Sequence, residues 1–422
     1  MGHVERPLPA RRGIFFGWRV VGAAFIVAVF AWGVGFYGPS VFLHALHEGR
    51  GWPVSVISAA VTCHFLLSAG VIALLPALHR RFGLVAVTRA GAAAAGLGAL
   101  TWASAGAPWQ LFPAALLSGA GWAVTSGAAI NAMVAPWFDR RRPAAISMAF
   151  NGASIGGVVF TPLWALLIAQ LGFAAAAAAI GGTMVLVLWW LSGRYLHPTP
   201  DGMGLLPDGD FAPPSDARAA VARPAPPRAP LPAGAAAWRD RRFATLSAAF
   251  ALGLFAQMGL IAHLFSLLAP ALGEAGAGAA LSLATACAVL GRTLLGALLP
   301  ARADRRIAAA ANFAVQVTGS LALLAADGAS VPLLLAGCAL FGLGLGNLIS
   351  LPPLIAQAEF ARPEVGRVVA LVIAVNQAVF AFAPAVFGVL RDMAGGGWAP
   401  IAGAAAVQLA AAIVVLSGRF PR

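Results

Sequence analysis

Lysine is absent from this 422-residue chain, so all 27 of its basic side chains are arginine. Charge of either sign is scarce. Asp and Glu number 14, and charged residues make up 10% of the chain, against about 25% in a soluble domain. That scarcity excludes an ordinary water-soluble protein. Cysteine occurs three times, at Cys63, Cys287 and Cys338, with no CxxC and no His/Cys cluster. A metal site is therefore not expected, and the three thiols read as small buried fillers. No carboxylate falls inside an apolar run except at its edges, and no Ser/His dyad, HExxH motif or carboxylate pair appears there at a suitable sequence spacing. Chemistry inside a membrane needs such groups, so neither catalysis nor a cofactor is expected.

What the chain has is apolar surface: 60% hydrophobic residues and a mean hydropathy of +0.86. Apolar runs of about 20 residues are long enough to cross a bilayer. Twelve are found, at 18–43, 53–78, 84–106, 109–136, 143–170, 172–194, 243–271, 276–300, 306–326, 331–358, 363–390 and 398–418. The expected fold class is an all-α membrane protein with twelve transmembrane helices. Every arginine except Arg50, Arg391 and Arg292 falls on the side of the N-terminus. Loop arginines mark the cytosolic side, which puts both termini in the cytosol, at the cytoplasmic membrane of a bacterial cell. The formal charge of +13 thus reads as a topology signal facing anionic lipid, and nucleic acid is not expected as a partner. The opening ARRGIFFGW resembles a twin-arginine export signal. The apolar run behind it is too long for one, so it reads as an uncleaved first helix.

The runs fall into two sets. Residues 1–17 are a cytosolic tail, 18–194 a six-helix half, 195–242 a linker, 243–418 a second six-helix half, and 419–422 a short cytosolic end. The linker holds ten prolines and few large apolar residues, which predicts an unstructured tether. The halves look like weak repeats. Gly119-Ala-Gly121 recurs 223 residues later as Gly342-Leu-Gly344, and Phe160-Thr-Pro162 recurs 222 residues later as Phe382-Ala-Pro384. Gly152/Gly156 and Gly342/Gly346 have the spacing that lets helices pack closely in a membrane.

Arg292 is the one charge deep inside an apolar run, TACAVLGRTLLGALLP. It lies about eight residues, roughly 12 Å, from the cytosolic end of its helix, near the middle of a core about 30 Å thick. A charge there costs roughly 3 kcal/mol and by default marks a functional site. Snorkelling, or a bond to a backbone carbonyl, is the structural alternative; Arg89, nearer its helix end, can snorkel. Tyr37, Asn151, Gln257, Asn347, Asn376, Gln377 and His64 are the polar residues at comparable depth. The amides can orient a solute or hydrogen-bond between helices. His64 is the candidate proton-linked group.

Several segments resemble the monocarboxylate porter branch of the major facilitator superfamily, with the oxalate/formate antiporter branch next. They are GWRVVGAAF, YGPSVFLHAL and GWPVSVIS at the start, RRFGLVAVTRAG, WFDRRRPAAISMAFNGASIGG, and GRTLLG around Arg292. The resemblance covers most of the chain. It implies two six-helix pseudo-repeat halves that rock about a central site, and it matches Arg292 to the arginine that pairs with a substrate carboxylate. Two positions depart. The family's aspartate four residues before that arginine is Ala288, and its first-helix lysine falls on Tyr37. The superfamily's loop motif is also altered, with Arg80 at its acidic position and Pro300 at the counterpart in the second half.

The expected function is transport of a small organic anion, a monocarboxylate, with Arg292 as its anchor and Tyr37, Asn376, Gln257, Asn151 and Asn347 around it. The partners are that anion, the lipid bilayer, and a proton or counter-anion; one chain is expected to suffice. A transporter of an uncharged or hydrophobic solute is the alternative. A non-transporting membrane sensor is more remote, because no soluble signalling domain is present.

Overall fold

A computed structural model describes residues 15–139, 141–209, 234–299 and 303–419. The tails at 1–14 and 420–422, Arg140, residues 300–302 (Pro300 and Arg302 among them) and the linker's central part, 210–233, lie outside the described residues. Every regular element among the described residues is helical. They are α1 (Phe16–Arg50), α2 (Val54–Phe82), α3 (Leu84–Ser104), α4 (Leu111–Ala123), α5 (Gly127–Val134), α6 (Arg142–Leu171), α7 (Phe173–Tyr195), α8 (Arg241–Leu298), α9 (Arg305–Ala325), α10 (Val331–Glu359), α11 (Arg362–Phe380), α12 (Ala383–Ala394) and α13 (Trp398–Ser417).

Ten helical stretches among the described residues are long and apolar enough to cross a membrane, against twelve expected runs. The difference has two physical sources. The runs expected at 243–271 and 276–300 join without a loop as α8, whose 58 residues would extend roughly 87 Å if unbroken. Gly273, at φ 68 and ψ 169, divides it into two arms; glycine adopts that backbone without steric cost. The run expected at 109–136 is split between α4 and α5, each too short alone. Thr125 Oγ1 donates to the Gly121 carbonyl at 2.8 Å, and Ser126 turns extended at ψ −155. Such local side-chain bonds compete with regular helix.

α1 and α8 are the most buried stretches. α1 packs on α6, α2 on α4, and α3 on α4 and α7. In a second group α8 packs on α10 and α13, and α9 on α10 and α13. The repeated glycines make matching contacts in the two groups. Gly119 lies against the α2 backbone at His64, and Gly342 against the α8 backbone at Ala284. Gly121 meets Gly91 and Ala95 of α3, and Gly344 meets Gln316 of α9. The close-packing reading of the other pair also holds: Gly152 and Gly156 seat α6 on Phe25 and Val29 of α1.

The groups touch through α6 and the Gly38–Arg50 part of α1 against α8, and through α2 against α12, while α11 barely reaches α2. At the end opposite most arginines, the Ser55 N–H donates to Asp392 Oδ2 at 2.9 Å and the Ala385 N–H to Thr62 Oγ1 at 3.0 Å. His44 faces Glu274 at 3.7 Å. At the arginine-rich end the second group is tied within itself. Arg306, 1% exposed, donates to both oxygens of Glu359 (2.7 and 2.9 Å), to Thr245 Oγ1, and to the carbonyls of Arg242 and Val415. Asp240 caps α8 by accepting from the Arg242 and Phe243 N–H groups. The Arg242 guanidinium bonded to it holds its carboxyl below the usual range.

The linker is not a plain tether at its edges, as composition suggested. Asp208 accepts from the N–H groups of Asp139 and Arg141, both at 3.2 Å, which fastens 196–209 to the α5–α6 turn. Gly234–Arg239 forms a 3-10 turn that leads into the Asp240 cap.

Candidate functional site

Arg292 lies on the second arm of α8 and is half-buried. Its Nε donates to the Gly346 carbonyl at 3.3 Å, so the backbone bond weighed as a structural alternative is made. Gly346 is the residue between the two pieces of α10, Val331–Leu345 and Asn347–Glu359. A Cβ there would sit 3.0 Å from Arg292 Nη2 and 2.6 Å from the Ala288 carbonyl oxygen; only a residue without one leaves the guanidinium this berth. Among the described residues no carboxylate pairs with Arg292, and its Nη groups donate to no protein acceptor.

Tyr37 comes to the same place from α1. A π turn, Trp32–Phe36, precedes it, and the ring lies over Gly157 of α6, beside the Thr285 methyl. Tyr37 is buried, and it interacts with Thr285 and, electrostatically, with Arg292. Thr285 donates its own proton to the Leu281 carbonyl at 2.8 Å, and it precedes Arg292 by seven residues, about two turns, on one face of the helix. Ala288 lies between them, buried. The two positions that depart from the resembled family, Tyr37 and Ala288, therefore both border Arg292, and both are neutral.

The other expected residues divide. Asn347 follows Gly346 but turns away: its Nδ2 donates to Asn312 Oδ1 of α9 at 2.9 Å, and Asn312 donates to the Gly344 carbonyl. That is an interhelical clamp. His64 Nδ1 shares a hydrogen bond with Ser118 Oγ at 2.9 Å, and Trp102 Nε1 donates to the same oxygen. Its Nε2 is buried without a hydrogen bond of ordinary geometry. Asn151 is exposed on the α6 face of Met148, Ile155 and Val159, about 120° around the helix from Gly157. It is not brought to Arg292. Gln257 and Asn376 are buried with Oε1 and Oδ1 unpartnered, and neither hydrogen-bonds Arg292. Gln377 is half-buried beside Asn376.

Sequence reasoning missed Thr285 and His263. Thr285 stands on the Arg292 face at a spacing of seven, a signal that periodicity alone could have given. His263, fully buried, shares its Nε2 with the Pro384 carbonyl at 3.1 Å and Ser58 Oγ at 3.5 Å. It joins α8, α12 and α2 where the two helix groups meet. A histidine inside the run 243–271 was the available signal. Two cavities, of about 720 and 680 Å³, lie at the arginine-rich end around Arg89; neither is lined by Arg292 or Tyr37.

Comparison with known proteins gives a consistent result. The family model described as Major Facilitator Superfamily matches residues 23–384. Human monocarboxylate transporter 11 is 29% identical over 394 residues, covering 90% of this chain and 71% of that protein. Among solved structures, a mutant of the nucleoside transporter NupG superposes with a TM-score of 0.72 at 10% identity, covering 96% of this chain and 100% of its own. A bacterial homolog of the human lysosomal transporter Spinster, in an inward-facing and occupied conformation, gives 0.64 at 13% identity, with 96% of each chain covered. At such identities these structures speak to the fold alone.

Proposed function

The chain belongs to the major facilitator superfamily, and within it we propose a carrier of a small organic anion, a monocarboxylate, that works by alternating access around Arg292. That it is a multi-pass membrane transporter and not an enzyme rests on the family and its relatives. The finer reading is carried by one observation: a half-buried guanidinium whose Nη groups, among the described residues, meet no acceptor and no carboxylate. A substrate carboxylate completes it as a bidentate partner. The Tyr37 hydroxyl is positioned to donate to the same group, and the Gln257 and Asn376 amides orient the remainder of the solute. The relative named for monocarboxylates supports the same class.

The arginine-rich end and both termini are assigned to the cytosol, at the cytoplasmic membrane of a bacterium. The contacts from Ser55 to Asp392 and Thr62 to Ala385 then close the external side. Tyr37 and Ala288 cannot act as a lysine/aspartate proton pair, and His64 is engaged by Ser118. The second partner is accordingly a counter-anion, or a proton carried on the substrate itself.

Uptake of labelled monocarboxylates into proteoliposomes tests the anchor. Arg292→Ala is expected to lower uptake about 100-fold, the loss of a charge-assisted pair worth roughly 3 kcal/mol, with folding unchanged by thermal denaturation. Arg292→Lys keeps the charge, loses the fork, and retains part of the activity. Undiminished uptake by Arg292→Ala overturns the reading. A panel of nucleosides and hydrophobic neutral solutes identifies the alternative, through transport that does not depend on Arg292.

A further inference from the structure

Both cavities of the arginine-rich end border Arg89 and Trp189; the first extends from there along the start of α3 and the second along the end of α7, so the two residues stand at the middle of one grooved surface. Arg89 does not simply reach for water. Its Nε donates to Ser192 Oγ at 3.2 Å, its Nη2 to the Trp189 carbonyl at 3.3 Å, and its guanidinium lies 4.6 Å from the Trp189 ring centroid. Gly193 beneath leaves room for Nη2. The guanidinium is thus fixed across the α3–α7 junction, and among the described residues Nη1 has no acceptor. Arg194, held over the Tyr195 ring, lines the second cavity with it. No carboxylate lines either cavity, and the walls are apolar, including Ala90, Ala93, Val185 and Leu186.

Depth and exposure fit the membrane interface. Arg89 is five residues into α3, roughly 8 Å from its start, and Arg194 is in the last turn of α7. Trp189, Trp190 and Leu186 are exposed, Leu186 at 73%. Aromatic residues of this kind mark the headgroup level. Basic pockets between helices at the cytosolic leaflet suit anionic lipid headgroups. A soluble anion makes no use of the apolar walls, whereas a molecule with one charged end and one hydrocarbon end uses both.

We propose that this groove binds one anionic phospholipid, its phosphate held by Arg89 and Arg194 and an acyl chain lying along Ala90, Val185 and Leu186. The site is separate from Arg292 and does not depend on what the protein transports. It does depend on the arginine-rich end facing the anionic cytosolic leaflet.

The test compares melting temperatures of the purified full-length protein in phosphatidylglycerol and in phosphatidylcholine nanodiscs, since a ligand of the folded state raises stability. Phosphatidylglycerol is expected to raise the melting temperature by several degrees over phosphatidylcholine. Arg194→Gln and Ala90→Trp should each remove at least half of that difference while melting normally in phosphatidylcholine. Ala90→Trp fills the groove without touching either charge, so it separates lipid seating from general electrostatics. Arg89→Lys should keep part of the difference. An equal difference in wild type, Arg194→Gln and Ala90→Trp overturns the proposal. A comparable rise with inorganic phosphate in phosphatidylcholine also overturns it, in favour of a soluble anion.

Discussion

Ala288 sits one turn before Arg292, where a carboxylate would pair with the guanidinium, and its methyl leaves that charge free. Restoring the acid makes the role of the vacancy measurable. In Ala288→Asp the new carboxylate should pair with Arg292 when ionised and compete with the substrate. Uptake by Ala288→Asp at neutral pH should therefore fall by about tenfold or more, while Ala288→Asn, which adds no charge, keeps most of it. Equal uptake by the two variants would mean that Arg292 and the substrate do not meet. At this scale the sequence was partly legible. Arg292 stood out because a charge in an apolar run is costly, and the resemblance singled out Tyr37. Asn347 was not legible, because its partner Asn312 comes from another helix and no local pattern encodes that pairing. Asn151 could have been set aside by helical period, since Met148, Ile155 and Val159 share its face.

Helix ends carry most of the second group's polar cohesion. Arg306 is enclosed by α8, α9, α10 and α13, and Glu359 is the only carboxylate on its guanidinium among the described residues. Removing one member of a buried pair strands the other, at a cost of about 3–5 kcal/mol. Glu359→Ala should lower thermal stability by that order while leaving the affinity of the folded fraction for substrate unchanged. A melting temperature equal to wild type would show that water reaches Arg306. The helix breaks were the least legible elements. Hydropathy places the division at 272–275 correctly but reads it as a loop, whereas one left-handed glycine, Gly273, makes the break within continuous helix. The Thr125–Ser126 break was hidden, because small residues continue the apolar average through it.

The whole molecule is asymmetric between its ends. Direct hydrogen bonds join the two helix groups at Ser55–Asp392 and Thr62–Ala385, far from the arginine-rich end. If alternation is the mode of action, these contacts must part in every cycle. Cysteines placed at 55 and 392, with Cys63, Cys287 and Cys338 replaced by serine, should block uptake when bridged by a thiol cross-linker of short reach. Reversal of a cleavable linker should restore it. Full uptake by the cross-linked protein would exclude separation at this point. Membrane class, helix-rich fold and the paired glycines were readable from composition and spacing. Which end is held shut was not, since it depends on pairings more than 300 residues apart, such as Ser55 with Asp392.

The unpaired state of Arg292 has an electrical consequence. On the proposed reading the site carries a full positive charge when empty and is neutral when a monocarboxylate fills it. A charge crossing the whole membrane field exchanges about 2.3 kcal/mol per 100 mV. The voltage therefore acts on the vacant carrier and spares the occupied one. Return of the vacant form is the step that a membrane potential can slow, and a second anion riding back removes that step altogether. Exchange is then the faster cycle, because one missing carboxylate makes emptiness the charged condition.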